Sequence, residues 1–250
     1  VALDRDGQYE VGGLLMGPTT GYVVDTVLGL GGIPEIRTVD RPKSHDHGGW
    51  AGTDLLEPRE IVMAVGLDGE LDASAYETLI TNLGAVMRPR SDEMAFRYKR
   101  FGRIRRLGAR PRGFILPWDD DFYLGAGRAA LRFQCPDPVI YSDETDETGP
   151  SSGTFPVTND GNFPIWPVVE TAAGGDITLT NATTDETVEL LDLSGAAVID
   201  FAARTVFVGT SDEYAAVQPS PDWWKVQPGL NSLTFSASAT ITFRHGWATG

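Results

Sequence analysis

The hydrophobic pattern changes period along the chain. In "REIVMAVGL", Ile61, Met63, Val65 and Leu67 recur at every second position, which predicts a strand over 59–67 with one buried face. Asp68 and Gly69 are turn residues that end it. From 74 to 88 the period lengthens. Tyr76, Leu79, Ile80, Leu83 and Met87 fall on one face of a predicted helix, with Ser74 and Glu77 as a capping box and Pro89 as the stop. Alternation then returns. Met94, Phe96 and Tyr98 point inward with Arg97 and Lys99 outward; later Leu131, Phe133 and Cys135 share one side of a strand that Pro136 and Pro138 end. Upstream, the first 50 residues are glycine-rich, with short β pieces such as Tyr22–Leu28, and "SHDHGGWAGTDLLEP" at 44–58 reads as an exposed loop.

Past residue 141 the pattern shifts again. "SDETDETGPSSG", 142–153, is polar, acidic and rich in turn residues, so it reads as a linker between an N-terminal domain (1–141) and a C-terminal one (154–250). Beyond it, "FPIWPVVE", "DITLTN", "TVELLDL", "AVIDFAARTVFV", "NSLTFS" and "ATITFRHGW" are short strands at regular spacing with no helical pattern between them. That regularity predicts an antiparallel β-sandwich. The expected class is mainly β with one helix.

Composition agrees, with 29 Gly and 16 Pro in 250 residues favouring turns over long helices. The net charge of −15 argues against general duplex binding. Its distribution changes the picture. Between Arg88 and Arg112 ten cations face two anions, Asp92 and Glu93, while residues 151–250 carry eleven acids and three cations. The cations of this band, among them Arg97, Lys99, Arg100, Arg103, Arg105 and Arg106, alternate with Phe96, Tyr98 and Phe101. Taken alone, such a band suits single-stranded nucleic acid. On a strongly acidic chain, docking onto an acidic neighbour, a second copy above all, is the favoured reading. Cys135 is the one cysteine, so neither an internal disulfide framework nor a four-thiolate zinc site is expected. No apolar run approaches the length of a membrane span, and the N-terminus lacks the pattern of a secretion signal; a soluble product of cytoplasmic synthesis is expected.

Candidate chemistry is sparse. His45 and His47 flank Asp46 and could hold a metal from one strand face, but no third ligand stands at useful spacing, so an exposed loop is favoured. Asp119, Asp120 and Asp121 in "PWDDDFY" could serve as hydrolytic acids, yet neighbours on one loop do not flank a glycosidic bond. Cys135 reads as a buried, inert thiol. No nucleophile elbow, zincin, phosphate loop or dinucleotide fingerprint occurs, and "GLGG" at 29–32 lacks the setting of a phosphate loop. No catalytic, cofactor-binding or metal-ligating residue is expected. Trp223 and Trp224, just before the turn "QPGLN", would point to opposite faces of a strand. One is then core, packed with Leu233, Phe235, Ile241 and Phe243, and the other lies against a loop, a partner or a ligand.

Taken in order, "AVIDFAARTVFV", "WWKVQPGLNSLTFS" and "ATITFRHGW" resemble the C-terminal domain of distal tail proteins of long-tailed, non-contractile bacteriophages. The matching residues are Ile199 and Asp200, then Trp224, Pro228, Gly229 and Asn231, then the closing strand from Ile241 to Arg244. "REIVMAVGL", the helix, and "RFQCPDPVIYS" with Asp137 and Pro138 resemble the first domain of the same family. The resemblance implies a structural virion protein at the tail tip, assembled in the host cytoplasm. Its N-terminal belt domains would form a homohexameric ring joining the tail tube protein to the tail-tip hub protein. Its galectin-like C-terminal sandwiches would radiate outward; tape-measure and receptor-binding proteins are further implied partners, with no membrane and no specific nucleic acid. Two other readings stay open: a lectin-like tip protein contacting the host wall, and a tail-associated cell-wall hydrolase.

Overall fold

The computed structural model describes residues 2–68 and 73–249. The chain folds as two compact units, Val1–Ile140 with Ala248–Gly250 and Tyr141–Trp247.

In the first unit the strands Tyr9–Val11 (β1), Leu14–Met16 (β2), Tyr22–Leu28 (β3), Arg59–Leu67 (β4), Met94–Arg100 (β5), Arg103–Ile115 (β6) and Arg128–Cys135 (β7) order as β2-β1-β5-β6-β7-β4-β3. Each neighbouring pair runs antiparallel. The alternation of β4, β5 and β7 is the cause. Ile61, Met63 and Val65, Met94, Phe96 and Tyr98, and Leu131, Phe133 and Cys135 are all buried on the inner face. Each such side chain contributes about 1.5–3 kcal/mol by leaving water, and a slip of one residue would expose the whole set. Phe96 meets Phe133 edge-on at 5.6 Å.

The glycine-rich opening has a simple origin. Val11 pairs with Leu14, leaving Gly12 and Gly13 as a two-residue loop with φ of +56° and +92°, the left-handed pair that tight hairpins favour. The long helix, Ala73–Met87 (α1), buries Leu83 and Met87, while Tyr76, Leu79 and Ile80 are only half-buried. It begins before Ser74, whose carbonyl accepts from the Thr78 hydroxyl at 2.8 Å; Ser74 is inside the first turn rather than its cap. Gly69, expected in the preceding turn, lies outside the described residues. The segment at 44–58 is exposed, but it is not a plain loop. Arg41–Pro42 pairs with Gly49–Trp50, and Ile36–Arg37 with Leu55–Leu56, so the chain doubles back as a narrow nested hairpin.

The second unit holds Asp146–Asn159 (β8), Val168–Thr171 (β9), Gly175–Asn181 (β10), Glu186–Leu193 (β11), Val198–Asp200 (β12), Thr205–Val208 (β13) and Gly229–Phe243 (β14). Their order is β11-β10-β14-β9-β12-β13, with β8 also on β14. Two expectations change here. Residues 142–153 are not simply a linker, because β8 starts at Asp146 and pairs with β14 along its length, with register shifts between Thr148 and Gly153. The apparent two closing strands are one. β14 runs unbroken for 15 residues, pairing with β10 at Leu233 to Phe235 and with β9 from Ala239. One long strand thus pairs with β10 over its first half and with β9 over its second. Its inner face carries Leu233, Phe235, Ala239, Ile241 and Phe243, all buried in one core with Trp224.

Candidate functional site

Two regions concentrate the residues that the sequence singles out. The first surrounds Trp224. Its indole is fully buried, donates Nε1–H to the Leu179 carbonyl at 3.1 Å and lies 4.4 Å from the Phe201 ring. Residues 221–225 are irregular rather than strand, so the opposite-faces rule does not apply to the tryptophan pair. Trp223 instead packs half-buried on the same core, its ring edge-on to Phe201 at 5.3 Å.

What holds this irregular segment is a set of three asparagines, each at most 1% exposed: Asn159, Asn181 and Asn231. Asn181 Nδ2 donates to Lys225 O at 3.1 Å, and Asn159 Nδ2 donates to Phe163 O at 2.9 Å and to Val226 O at 3.4 Å. Asn231 accepts from Gln227 N at 2.8 Å and donates to Gln227 O and Gly229 O at 2.8 and 3.0 Å. Buried amides that spend both ends on backbone groups replace the ladder the segment lacks. The Pro-Gly-x-Asn spacing now has a physical reason. Pro228 presets the bend, Gly229 takes φ +85°, and the asparagine two residues on closes it. Of the three, only Asn231 carries a sequence signal; Asn159 and Asn181 read as ordinary turn residues.

The remaining motif residues are also structural. Ile199 is core, and Asp200 Oδ1 accepts from Ala202 N and Ala203 N, both at 2.9 Å, shaping the turn after β12. In the first unit, Asp137 Oδ1 accepts from Val139 N at 3.0 Å, and the Pro138 carbonyl accepts from Arg59 Nε at 2.9 Å. Arg59 itself, 2% exposed, also donates to the carbonyls of Gly29, Gly32 and Ala248. Arg59 opens β4 in phase with its buried face, yet its charge hides it from a reading of apolar alternation; it is held there by spending its fork on four carbonyls. Desolvation lowers its pKa.

The second region is the basic hairpin of β5 and β6. The structure divides the cation band by partner. Arg97 pairs with the nearly buried Glu10 at 2.9 Å, and Lys99 Nζ donates to the carbonyls of Leu3 and Asp4 at 3.1 and 3.0 Å. These two fasten β1 and the segment before it, and are not available as a free outer surface. Arg100, Arg103 and Arg106 form no ion pair among the described residues. Arg103 stands opposite Arg100 and Arg106 opposite Arg97, juxtapositions that cost the hairpin some stability in isolation. At the tip Phe101, with φ +52°, is 80% exposed under the Arg100 guanidinium, 4.8 Å from its ring centre. Arg100, Phe101, Arg103 and Arg105 line an open cavity of about 270 Å³. Tyr98, inward of this cavity, has its pKa raised by burial despite the nearby Arg105 cation.

The other candidates separate. His45 and His47 are exposed, and His47 N donates to Asp46 Oδ1 at 2.8 Å. Asp119 caps the one-turn helix Asp120–Tyr123 (α2) by accepting from Phe122 N at 3.0 Å. Cys135 is buried, which pushes its thiol pKa up to about 12. No cluster of three metal-ligating side chains occurs among the described residues, nor is any helix there long and apolar enough to cross a membrane.

Comparison with known proteins bears on both units. Residues 160–247 match the family model of the siphovirus-type tail component, C-terminal domain. The crystal structure of the Dit protein of phage SPP1, described as a paradigm of hub adsorption apparatus in phages that infect Gram-positive bacteria, is similar in fold. Its TM-score is 0.76 at 18% identity, covering 96% of this chain and 98% of that one. A chain of the phage P2 baseplate in its activated conformation aligns over 97% of this chain and 99% of that one, at 8% identity and a TM-score of 0.47, too weak to bear on the fold. No curated protein sequence matches the chain.

Proposed function

We propose that this chain, whose residues 160–247 match the siphovirus-type tail component family, is a distal tail protein. It is a structural component of the virion that forms a hexameric ring between the tail tube and the tail-tip hub. The observation that carries this is the two-unit architecture, shared over 96% of the chain with a phage Dit protein, together with the family match of the second unit. The first unit builds the ring. The second presents its sandwich to tip components such as receptor-binding proteins, and the tube, hub and tape-measure proteins are the remaining neighbours. The role asks for rigid shape and matched surfaces rather than bond-making groups. The polar side chains described above spend their atoms on backbone: the asparagines on 225–229, Arg59 on four carbonyls, Asp119 on a helix cap.

A ring requires one patch to meet a different patch on the next copy. Arg100 and Arg103 at the β5–β6 tip, in no ion pair among the described residues, offer such a patch on a chain whose net charge is −15. Exposed charges of this kind lose strength as salt screens them. Native mass spectrometry of the purified chain tests the reading. A species of six chains at low salt, reduced at moderate salt, is expected, and a chain that stays monomeric at every concentration overturns it.

A further inference from the structure

β6 is 13 residues long, which at the usual strand rise separates its ends by about 40 Å. Both ends carry exposed aromatic groups, and their charges are opposite. At the start lies the cavity lined by Arg100, Phe101, Arg103 and Arg105. Just past the end lies an apolar ledge. Trp118, 75% exposed, stacks on Phe122 with ring centres 5.6 Å apart and planes 7° from parallel, and Tyr123 and Leu124 beside it are 72% and 76% exposed. Asp120 and Asp121 stand on the same turn, exposed and in no ion pair among the described residues.

We infer that the arginine cavity of one copy receives segment 118–124 of the next copy, so that the two ends of a single strand close the ring. The inference rests on the ring reading above and adds the identity of the two surfaces. A guanidinium binds a carboxylate with two parallel hydrogen bonds and stacks on aromatic faces, and segment 118–124 offers both groups within one turn. Aromatic and arginine side chains are also the types that dominate interface energies. The opposed Arg100 and Arg103, unfavourable within the hairpin, become favourable when carboxylates enter between them. One copy cannot satisfy both of its own ends across about 40 Å of strand. A second copy covers both kinds of end, whereas a nucleic acid would neutralise the arginines and leave the acidic ledge bare. Repeated head to tail, this pairing propagates to a closed ring.

Charge reversal tests it on the full chain by native mass spectrometry at low salt, with circular dichroism confirming folding. Arg103→Glu alone, and Asp120→Arg with Asp121→Arg, should each weaken the hexamer by about tenfold or more, and the three changes together should restore most of it. The changed positions are exposed, so the fold should tolerate them. Trp118→Ala should weaken the ring without any change in the monomer's melting. A wild-type ring that ignores both reversals, or a triple variant weaker than either parent, overturns this inference and leaves the ring reading standing. So does a result in which Arg103→Glu abolishes binding of a single-stranded oligonucleotide while the ring persists. A wild-type chain that never exceeds a monomer overturns the ring reading, and this inference with it.

Discussion

Replacing Trp224 by alanine is the sharpest test of how the second unit is held together. The side chain is fully buried among Phe201, Phe235 and the inner face of β14, so truncation removes its transfer energy and leaves a cavity that the surrounding strands cannot close. Losses of about 3–5 kcal/mol follow from truncating an aromatic in such a place. The indole also satisfies the Leu179 carbonyl, a bond with a net worth of about 0.5–1.5 kcal/mol. A domain has about 5–15 kcal/mol in all, so this one change removes a large share. For a unit of this size about 4 °C is lost per kcal/mol, so the melting transition of residues 141–247 should fall by about 12–20 °C. Trp223 is half-buried with one ring edge-on to Phe201, and Trp223→Ala should cost about 1–2 kcal/mol. Trp224→Phe, which keeps a ring but not the donor, should fall between the two. Differential scanning calorimetry of the full chain measures all three, with hydrogen exchange assigning each transition to its unit. Equal small losses at the two tryptophans, or the larger loss at Trp223, would refute the packing argument.

Other outcomes follow from particular contacts. Asn231→Ala orphans Gln227 N and one hydrogen bond each at Gln227 O and Gly229 O; it should cost about 2–4 kcal/mol and speed amide exchange first at 225–231. Arg59→Lys should not rescue the first unit, because one ammonium cannot span the four carbonyls the guanidinium reaches; a melting point within about 1 °C of wild type would contradict this. Burial raises the Cys135 thiol pKa to about 12, so the folded state holds its proton more tightly than the unfolded one. The stabilisation is therefore complete below the ordinary thiol pKa and is lost as pH rises towards 12. At pH 8 a disulfide reagent should react with Cys135 only after unfolding, and prompt reaction of the native chain would contradict its burial.

Legibility in the sequence followed burial on one face. β4, β5 and β7 alternate cleanly because water is excluded from one side only, and their inner residues could be named without a structure. β8 was hidden for the opposite reason. Most of its side chains before Val157 are exposed, so the strand is held by backbone pairing to β14 and its composition resembles a linker. β14 was cut in two because "SASA", 236–239, looks like a break, although small residues there suit a strand shared between two neighbours. The basic band is visible as a run of charge, but composition cannot say that Arg97 and Lys99 are engaged with Glu10 and the N-terminal carbonyls while Arg100, Arg103 and Arg106 form no ion pair among the described residues. The tryptophan pair does not follow the strand rule because residues 221–225 are irregular. That segment's shape comes from Asn159 and Asn181, distant in sequence, which no local pattern connects to it.

The central claim is a place in the virion. Electron microscopy of assembled tails, labelled with an antibody against this chain, tests it most directly. Label confined to the junction between tail tube and tip, on a ring with six-fold symmetry, is expected. Label along the tube, on the capsid or absent from intact tails would contradict it.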